Sequence, residues 1–414
     1  MRLALTYQRV DPSRGGAETY AVDLCHRLIR AGHDLTLYAD SWRDNVLPPE
    51  VRTVRVPARG PNKLARIWNF GVASEAALIA AHHDCSVGLI NTWHQDVIIP
   101  QGGVHPGSLE ANARRFAPGW RRRAYVAAKK ANPKWWVYRA IEQRQYDPAR
   151  ATRIVAVSRM VENHLERHHR VDHSRVTVIP NAIDPDRLLV PDPAAARRAF
   201  RAEHGIAEGD LTCLFLAHNF WLKGLKPLME ALALRKRRDP AGRPMTLLVC
   251  GGGTIAPFRA MAEKLGLADS VRLVGFVDDI RAAFHAADFF TLPSYYDPCS
   301  LVVFEALSCG LPVITTGCNG AGEVLTEGRE GFVINTPEAV AHLADALDGM
   351  VDDHRRAAMS EAALRLGREQ SIGRHVSRLI EVFESVAADR RAGRRACCTP
   401  HSAARLGSGV IRDH

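Results

Sequence analysis

The chain has 414 residues, of which 46% are hydrophobic and 24% charged, so it is longer than one hydrophobic core usually serves, and two domains are expected. Its longest apolar runs, such as residues 302–307, are far too short to cross a bilayer. The formal net charge of +10 points to an anionic partner, and composition does not choose among nucleic acid, an anionic membrane and a phosphorylated substrate.

The first seven residues form a short apolar run that breaks into Gln8-Arg9-Val10-Asp11. A secretory signal needs a longer apolar core and a small-residue cleavage site. The expectation is therefore a cytosolic protein whose first strand starts near residue 1. Strands are predicted at 3–7, 34–39, 85–90, 97–99, 153–157 and 176–179. A helix over 17–30 follows Gly15-Gly16, with Tyr20, Leu24 and Leu28 on one face. Ser158 is placed to cap another helix. Residues 180–184, Pro-Asn-Ala-Ile-Asp, read as a turn.

The pattern then restarts. Strands are predicted at 211–217, 245–250, 271–273, 289–292 and 313–315, with helices over 225–237, 255–265 and 300–308. Strand–helix alternation argues for parallel sheets covered on both faces, and two successive runs argue for two such domains. The boundaries drawn are 1–182, 183–371, a C-terminal helix over 372–390 returning to the first domain, and a disordered tail over 391–414, rich in Arg, Ala, Gly and Ser. In open α/β sheets ligands bind at the carboxyl ends of strands, so the cleft between the domains is the expected site.

Residues 112–145 break the alternation. They carry ten Lys and Arg residues, among them Arg121, Arg122, Arg123, Lys129 and Lys130, interleaved with aromatics that include Trp135 and Trp136; the one acid is Glu142. Such a mixture suits an anionic membrane surface. The nine cysteines are scattered, without Cys-x-x-Cys or zinc spacing, and read as small buried hydrophobes in a reducing compartment. His164 and His168 share a helix face, read as solvated rather than metal-binding.

Asp297-Pro-Cys-Ser-Leu-Val-Val-Phe-Glu305 sets two carboxylates eight apart around the start of a helix. The free N–H groups near Cys299, Ser300 and Leu301 make a phosphate site. Alone, the pair fits equally a capping acid and an ordinary helical glutamate. Lys223-Gly224 follows a strand after His218 and Asn219, and Gly15-Gly16 permits close backbone approach to a ligand. Residues 101–105, Gln-Gly-Gly-Val-His, end a first-domain strand.

With its continuation Ala306-Leu-Ser-Cys-Gly-Leu-Pro-Val313 and Gly320-Ala-Gly-Glu323, this block resembles the donor-site signature of family 4 retaining glycosyltransferases, which have the GT-B fold. That fold is α/β: two Rossmann-like domains facing across a deep cleft. The family carries two glutamates separated by seven residues; Asp297 stands at the first position here, one methylene shorter. The resemblance implies a nucleotide-sugar donor with Lys223 on its diphosphate. An arginine usual before that lysine is absent, and His218 or Asn219 occupies its neighbourhood. It places Gly15 and Gly16 before the donor phosphates, Glu305 on the ribose, backbone near Val277 on the base, and His105 near the reacting sugar, with His94 and Asp96 competing for the acceptor-facing role. Asp297, Lys223 and His105 become the expected catalytic residues. No cofactor and no metal are expected.

The basic segment and the loop 219–224 also resemble lipopolysaccharide core glucosyltransferases of bacteria. That likeness implies a glycolipid or polysaccharide acceptor at the inner face of a membrane, and no nucleic acid. Two other readings stand beside it, a nucleotide-sugar epimerase of related fold and a basic nucleic-acid-binding protein; neither uses both the donor block and the basic segment.

Overall fold

A computed structural model describes residues 1–393. In chain order the first half runs β1 (Arg2–Thr6), β2 (Arg9–Val10), α1 (Gly16–Arg30), β3 (Asp34–Ala39), β4 (Ser41–Trp42), β5 (Arg52–Arg55), α2 (Lys63–Ile79), β6 (Cys85–Gly88), β7 (Val97–Ile98), α3 (His105–Ala113), α4 (Trp120–Ala131), α5 (Pro133–Gln145), β8 (Arg153–Ala156), α6 (Arg159–His169) and β9 (Val176–Val178). The second runs α7 (Pro193–Glu203), β10 (Leu211–Leu216), α8 (Leu225–Arg238), β11 (Met245–Cys250), α9 (Ala256–Lys264), β12 (Val271–Gly275), α10 (Ile280–Ala286), β13 (Phe289–Leu292), α11 (Leu301–Ser308), β14 (Val313–Thr316), β15 (Gly331–Ile334), α12 (Val340–Asp348), α13 (Asp353–Glu369) and α14 (Ile372–Arg391).

The strands form two parallel sheets. The first is ordered β5-β3-β1-β6-β7-β8-β9 and the second β12-β11-β10-β13-β14-β15. Both are doubly wound: the chain builds outward from β1 or β10, then returns to that strand's other side and builds the opposite way. Central strands are apolar along their whole length because helices cover both faces. All six residues of β10 (Leu-Thr-Cys-Leu-Phe-Leu) and of β11 (Met-Thr-Leu-Leu-Val-Cys) are buried. A two-stranded parallel pair, β2 with β4, extends beside the first sheet.

Helix starts follow local chemistry. The Ser158 hydroxyl accepts from the Val161 N–H at 3.2 Å at the start of α6. Asp192 caps α7 by accepting from the Ala195 N–H at 2.9 Å, with Pro193 at the first helical position. Residues 112–145, which break the strand–helix alternation, are largely filled by α4 and α5. The His164–His168 face of α6 is not solvated. His164 stacks on Tyr296 at 5.8 Å between ring centroids, and its ring packs against Gly107 of α3. Burial, with the neighbouring His168 adding to it, lowers the His164 pKa to about 4.

The last helix, α14, packs on α1 and β6 of the first domain. The His375 ring lies between the Tyr20 hydroxyl, 2.7 Å from Nε2, and the Pro180 carbonyl, 2.8 Å from Nδ1. Burial holds this histidine neutral, with its pKa lowered to about 4. Arg391 closes the helix, so the expected tail begins later than drawn, and residues 394–414 of it lie outside the described residues. Tyr20→Phe leaves the buried His375 Nε2 without its partner and is expected to cost about 1–3 kcal/mol, read as a lowered midpoint of chemical unfolding; an unchanged midpoint would show that the seam between α1 and α14 does not depend on this bond.

Candidate functional site

In each sheet the switch in building direction falls beside the first strand, between β1 and β6 and between β10 and β13. Loops at those carboxyl ends border a crevice. Part of the expected site sits on these loops: Gly15-Gly16 beyond β1, Asn219 and Lys223 beyond β10, and Asp297, Cys299 and Ser300 beyond β13.

Lys223 and Asp297, 74 residues apart, are joined there by an ion pair between Nζ and the carboxylate. Both side chains are largely withdrawn from solvent. The loop that presents Lys223 is a tight turn in which the Lys223 N–H donates to the Asn219 carbonyl at 2.9 Å and the Asn219 side chain accepts from the Leu222 N–H at 3.1 Å. Asn219 therefore spends its side-chain oxygen on shaping this turn. Asp297 is held by its own backbone, donating to the Cys318 carbonyl at 3.0 Å and accepting from the Gly320 N–H at 2.9 Å.

Leu301 opens α11, with Ser300 as its N-cap residue. The Ser300 N–H goes to the Asn319 side chain at 3.3 Å. Opposite stands Gly16: a β-carbon added there would lie 3.2 Å from Leu301 Cδ1. The glycine loop of the first domain and the helix start of the second are thus in direct apposition. Cys299 turns inward. Its buried thiol accepts from the Asn181 N–H at 3.3 Å, and its carbonyl accepts from the Asn181 side-chain amide at 2.9 Å. It joins the two domains, and its thiol is not turned to the crevice. Val277 is half-buried against the core beyond β12, beside an exposed Phe276.

Glu305 lies in the second turn of α11. Among the described residues it finds no hydrogen-bond or ion-pair partner. Burial pushes its pKa up to about 7; the Arg187 charge opposes this and Asp23 adds to it.

His105 is the first residue of α3, and its ring is 41% exposed. Glu142 holds it, accepting from the His105 N–H at 2.6 Å and from Nδ1 at 2.9 Å. Tyr138 stacks on the ring at 4.2 Å. His169 donates to the other Glu142 oxygen at 3.2 Å. Burial would raise the Glu142 carboxyl, but these hydrogen bonds outweigh it and hold it down at about 2. The one acid of the basic segment is therefore a buried anchor.

His94 and Asp96 do not face the crevice. His94 is buried near Glu75, 3.6 Å away, and the Asp96 carboxylate accepts from the backbone and hydroxyl of Ser86, both at 2.8 Å. Sequence reasoning overlooked Tyr296, whose hydroxyl accepts from the Val104 N–H at 2.9 Å across the domains; its position directly before Asp297 was the available signal. Glu323 was noted only as part of the motif. It caps α6, accepting from the Arg159 and Met160 N–H groups at 2.7 and 2.8 Å.

The basic segment reaches the second domain at its start, where Arg114 donates to Glu338 at 2.9 and 3.0 Å, and is solvent-facing along α4. No residue of α4 is buried, and Arg121, Arg123, Lys129 and Lys130 are exposed, with Arg122 half-buried. Trp120 and Trp136 are 74% and 65% exposed, and Trp135 is half-buried.

Two family models match the chain. One described as Glycosyltransferase Family 4 covers residues 14–187, and one described as Glycosyl transferases group 1 covers residues 196–366. The chain is 32% identical over 391 residues to a probable transglycosylase of Burkholderia thailandensis, spanning 92% of this chain and 96% of that one. It is 26% identical over 352 residues to the lipopolysaccharide glucosyltransferase WaaG of Escherichia coli, spanning 85% and 88%. The crystal structure of WaaG, a glycosyltransferase involved in lipopolysaccharide biosynthesis, matches the fold with a TM-score of 0.73 at 22% identity, over 92% of this chain and 99% of that one. Anabaena HepE in complex with UDP-glucose matches with a TM-score of 0.66 at 17% identity, over 93% and 100%. The paired sheets, the two family models and a relative similar along nearly its whole length agree: the chain belongs to the family 4 glycosyltransferases of GT-B fold.

Proposed function

We propose that this glycosyltransferase moves a hexose from a nucleoside diphosphate sugar, UDP-glucose or a close relative, to a membrane-associated glycolipid or polysaccharide such as a lipopolysaccharide core, with retention of configuration. The observation that carries the reading is the Lys223–Asp297 pair beside the start of α11, facing the Gly15-Gly16 loop. It supplies a cation, free helix N–H groups and a close-approach backbone where a diphosphate needs them. Support for the donor comes from the fold shared with HepE, solved with UDP-glucose, and support for the acceptor from the likeness to WaaG.

In this scheme the bond between the anomeric carbon and the diphosphate oxygen breaks as Lys223 and the α11 N–H groups take up the developing negative charge. The acceptor oxygen bonds to the anomeric carbon on the same face, and its proton passes to the departing diphosphate. Asp297 accepts hydroxyls of the donor sugar and Glu305 those of the ribose. His105, oriented through Nδ1 by Glu142, stands by the reacting sugar with Nε2 as its other nitrogen. The charge is handled without a metal ion.

Exposed Trp120 and Trp136 beside Arg121, Arg122, Arg123, Lys129 and Lys130 suit the headgroup layer of an anionic membrane. No helix of the described residues is long and apolar enough to span it, so the proposal is a peripheral enzyme on the cytoplasmic face.

Lys223→Ala is expected to lower the transfer rate at least about a hundredfold while leaving the unfolding midpoint near that of the parent; full activity would remove the donor-site assignment. Ionised Glu305 is the form that accepts ribose hydroxyls. A carboxyl raised to about 7 is protonated below that pH, so UDP-glucose affinity should climb as pH rises through 7, by up to about tenfold per unit below it. Glu305→Gln should flatten that dependence, and a pH profile shared by both proteins would show that Glu305 does not touch the donor. Replacing Arg121, Arg122 and Arg123 by Glu should weaken binding to phosphatidylglycerol vesicles by at least about a hundredfold, at roughly 1 kcal/mol for each positive charge lost and more for the negative charges added; unchanged binding would exclude this surface as the membrane contact.

A further inference from the structure

We infer that the first domain holds a second ligand seat, for an anionic sugar unit of the acceptor, in the cavity between β2 and β4; the inference rests on the transfer reaction proposed above. After β1 and after β3 the chain makes two excursions that pair again, Arg9 with Ser41 and Val10 with Trp42. Between them lies a cavity of about 520 Å³ lined by Arg9, Asp11, Ser13, Ser41, Trp42 and Arg43. That volume falls within the range of small-molecule sites.

Its position is fixed by topology. Both excursions leave the carboxyl ends of adjacent parallel strands, the side on which such sheets bind ligands. The β2 excursion continues through the turn Pro12–Arg14 directly into Gly15-Gly16, the loop apposed to the start of α11. The cavity and the glycine loop are therefore built from one stretch of chain.

Its chemistry selects the ligand. Two guanidinium groups face one carboxylate. That carboxylate is already engaged: Asp11 Oδ1 accepts from the Ser13 N–H at 3.1 Å and from its hydroxyl at 2.8 Å, and stands a long 3.9 Å from Arg43. Arg9 is half-buried and forms no ion pair among the described residues. With two guanidinium groups to one carboxylate, a cation partly withdrawn from water favours a further anion beside it, and its planar fork matches phosphate or carboxylate oxygens. The half-buried Trp42 offers an aromatic face for a sugar ring, and Ser41 a hydroxyl for its oxygens. The class of ligand that meets all of these is a hexose bearing a phosphate or a carboxylate.

The test is calorimetric titration of the full chain with UDP saturating the donor site, using glucose 6-phosphate, glucuronate, glucose and inorganic phosphate in turn. At least one of the two anionic sugars should bind ten times or more tighter than both glucose and inorganic phosphate, and which one does so separates a phosphorylated from an acidic sugar. Arg9→Gln with Arg43→Gln should weaken that binding at least tenfold, Trp42→Ala should remove the preference over inorganic phosphate, and UDP affinity should stay unchanged in both. Anionic sugars no tighter than glucose, inorganic phosphate binding as well as they do, or an unaltered double variant would each overturn the seat. Should the double variant lose UDP binding through misfolding, Arg43→Glu at an exposed position decides by the same comparison. Failure of the parent protein to bind UDP would instead strike the donor reading.

Discussion

Residues 296–300 are pressed against the first domain, and the geometry of the crevice depends on that contact. The Tyr296 hydroxyl takes the Val104 N–H, and Asn181 grips Cys299 through both its backbone and its side chain. These groups are buried, so separating the domains here would leave them without partners unless water entered. Close approach is possible because position 320 is glycine: a β-carbon there would lie 2.0 Å from the Pro298 carbonyl and 2.4 Å from Ser158 Cβ. The segment so clamped carries Asp297 and leads into α11, so one seam sets both the carboxylate and the helix start against the glycine loop.

Three carboxylates near the crevice show how environment divides one chemical group into different tasks. Asp297 is paired with Lys223. Glu142 is buried deeper but receives three hydrogen bonds, which hold it ionised and make it a fixed support for His105. Glu305 is half-buried and has no such donors among the described residues, so its carboxyl rises toward neutrality. A nucleotide that supplies ribose hydroxyls would give Glu305 the donors it lacks, which couples its charge to occupancy. The same logic applies to Arg9, a half-buried cation that lies beside a cavity and forms no ion pair among the described residues.

Much of this was legible in the residues. Apolar runs such as 211–216 and 289–292 mark strands because both faces are covered, and the motif around Asp297, Glu305 and Lys223 pointed, through family likeness, to the loops proposed above to hold the donor. Short polar strands escaped: β5 reads Arg-Thr-Val-Arg, an edge with little periodicity. The interior faces of helices escaped too. His164 and His168 look solvated on a basic helix, yet α3 and Tyr296 cover them, a contact made by residues far away in sequence. Glu142 looked like a stray acid among cations for the same reason, since His105 and His169 reach it from 37 and 27 residues away. Pairings set by tertiary approach leave no local spacing to read.

The central claim is that the crevice between the two sheets binds a nucleoside diphosphate sugar through Lys223 and the start of α11. Thermal unfolding across UDP- and GDP-sugars tests it most directly, because a ligand that binds only the folded chain stabilises it by mass action, by about 2.7 kcal/mol at a hundred times its Kd. One donor, with its parent nucleotide, should raise the midpoint by several degrees in a concentration-dependent way in the parent protein, and much less in Lys223→Ala. No shift with any of these nucleotides at millimolar concentration, or an equal shift in Lys223→Ala, would contradict the account.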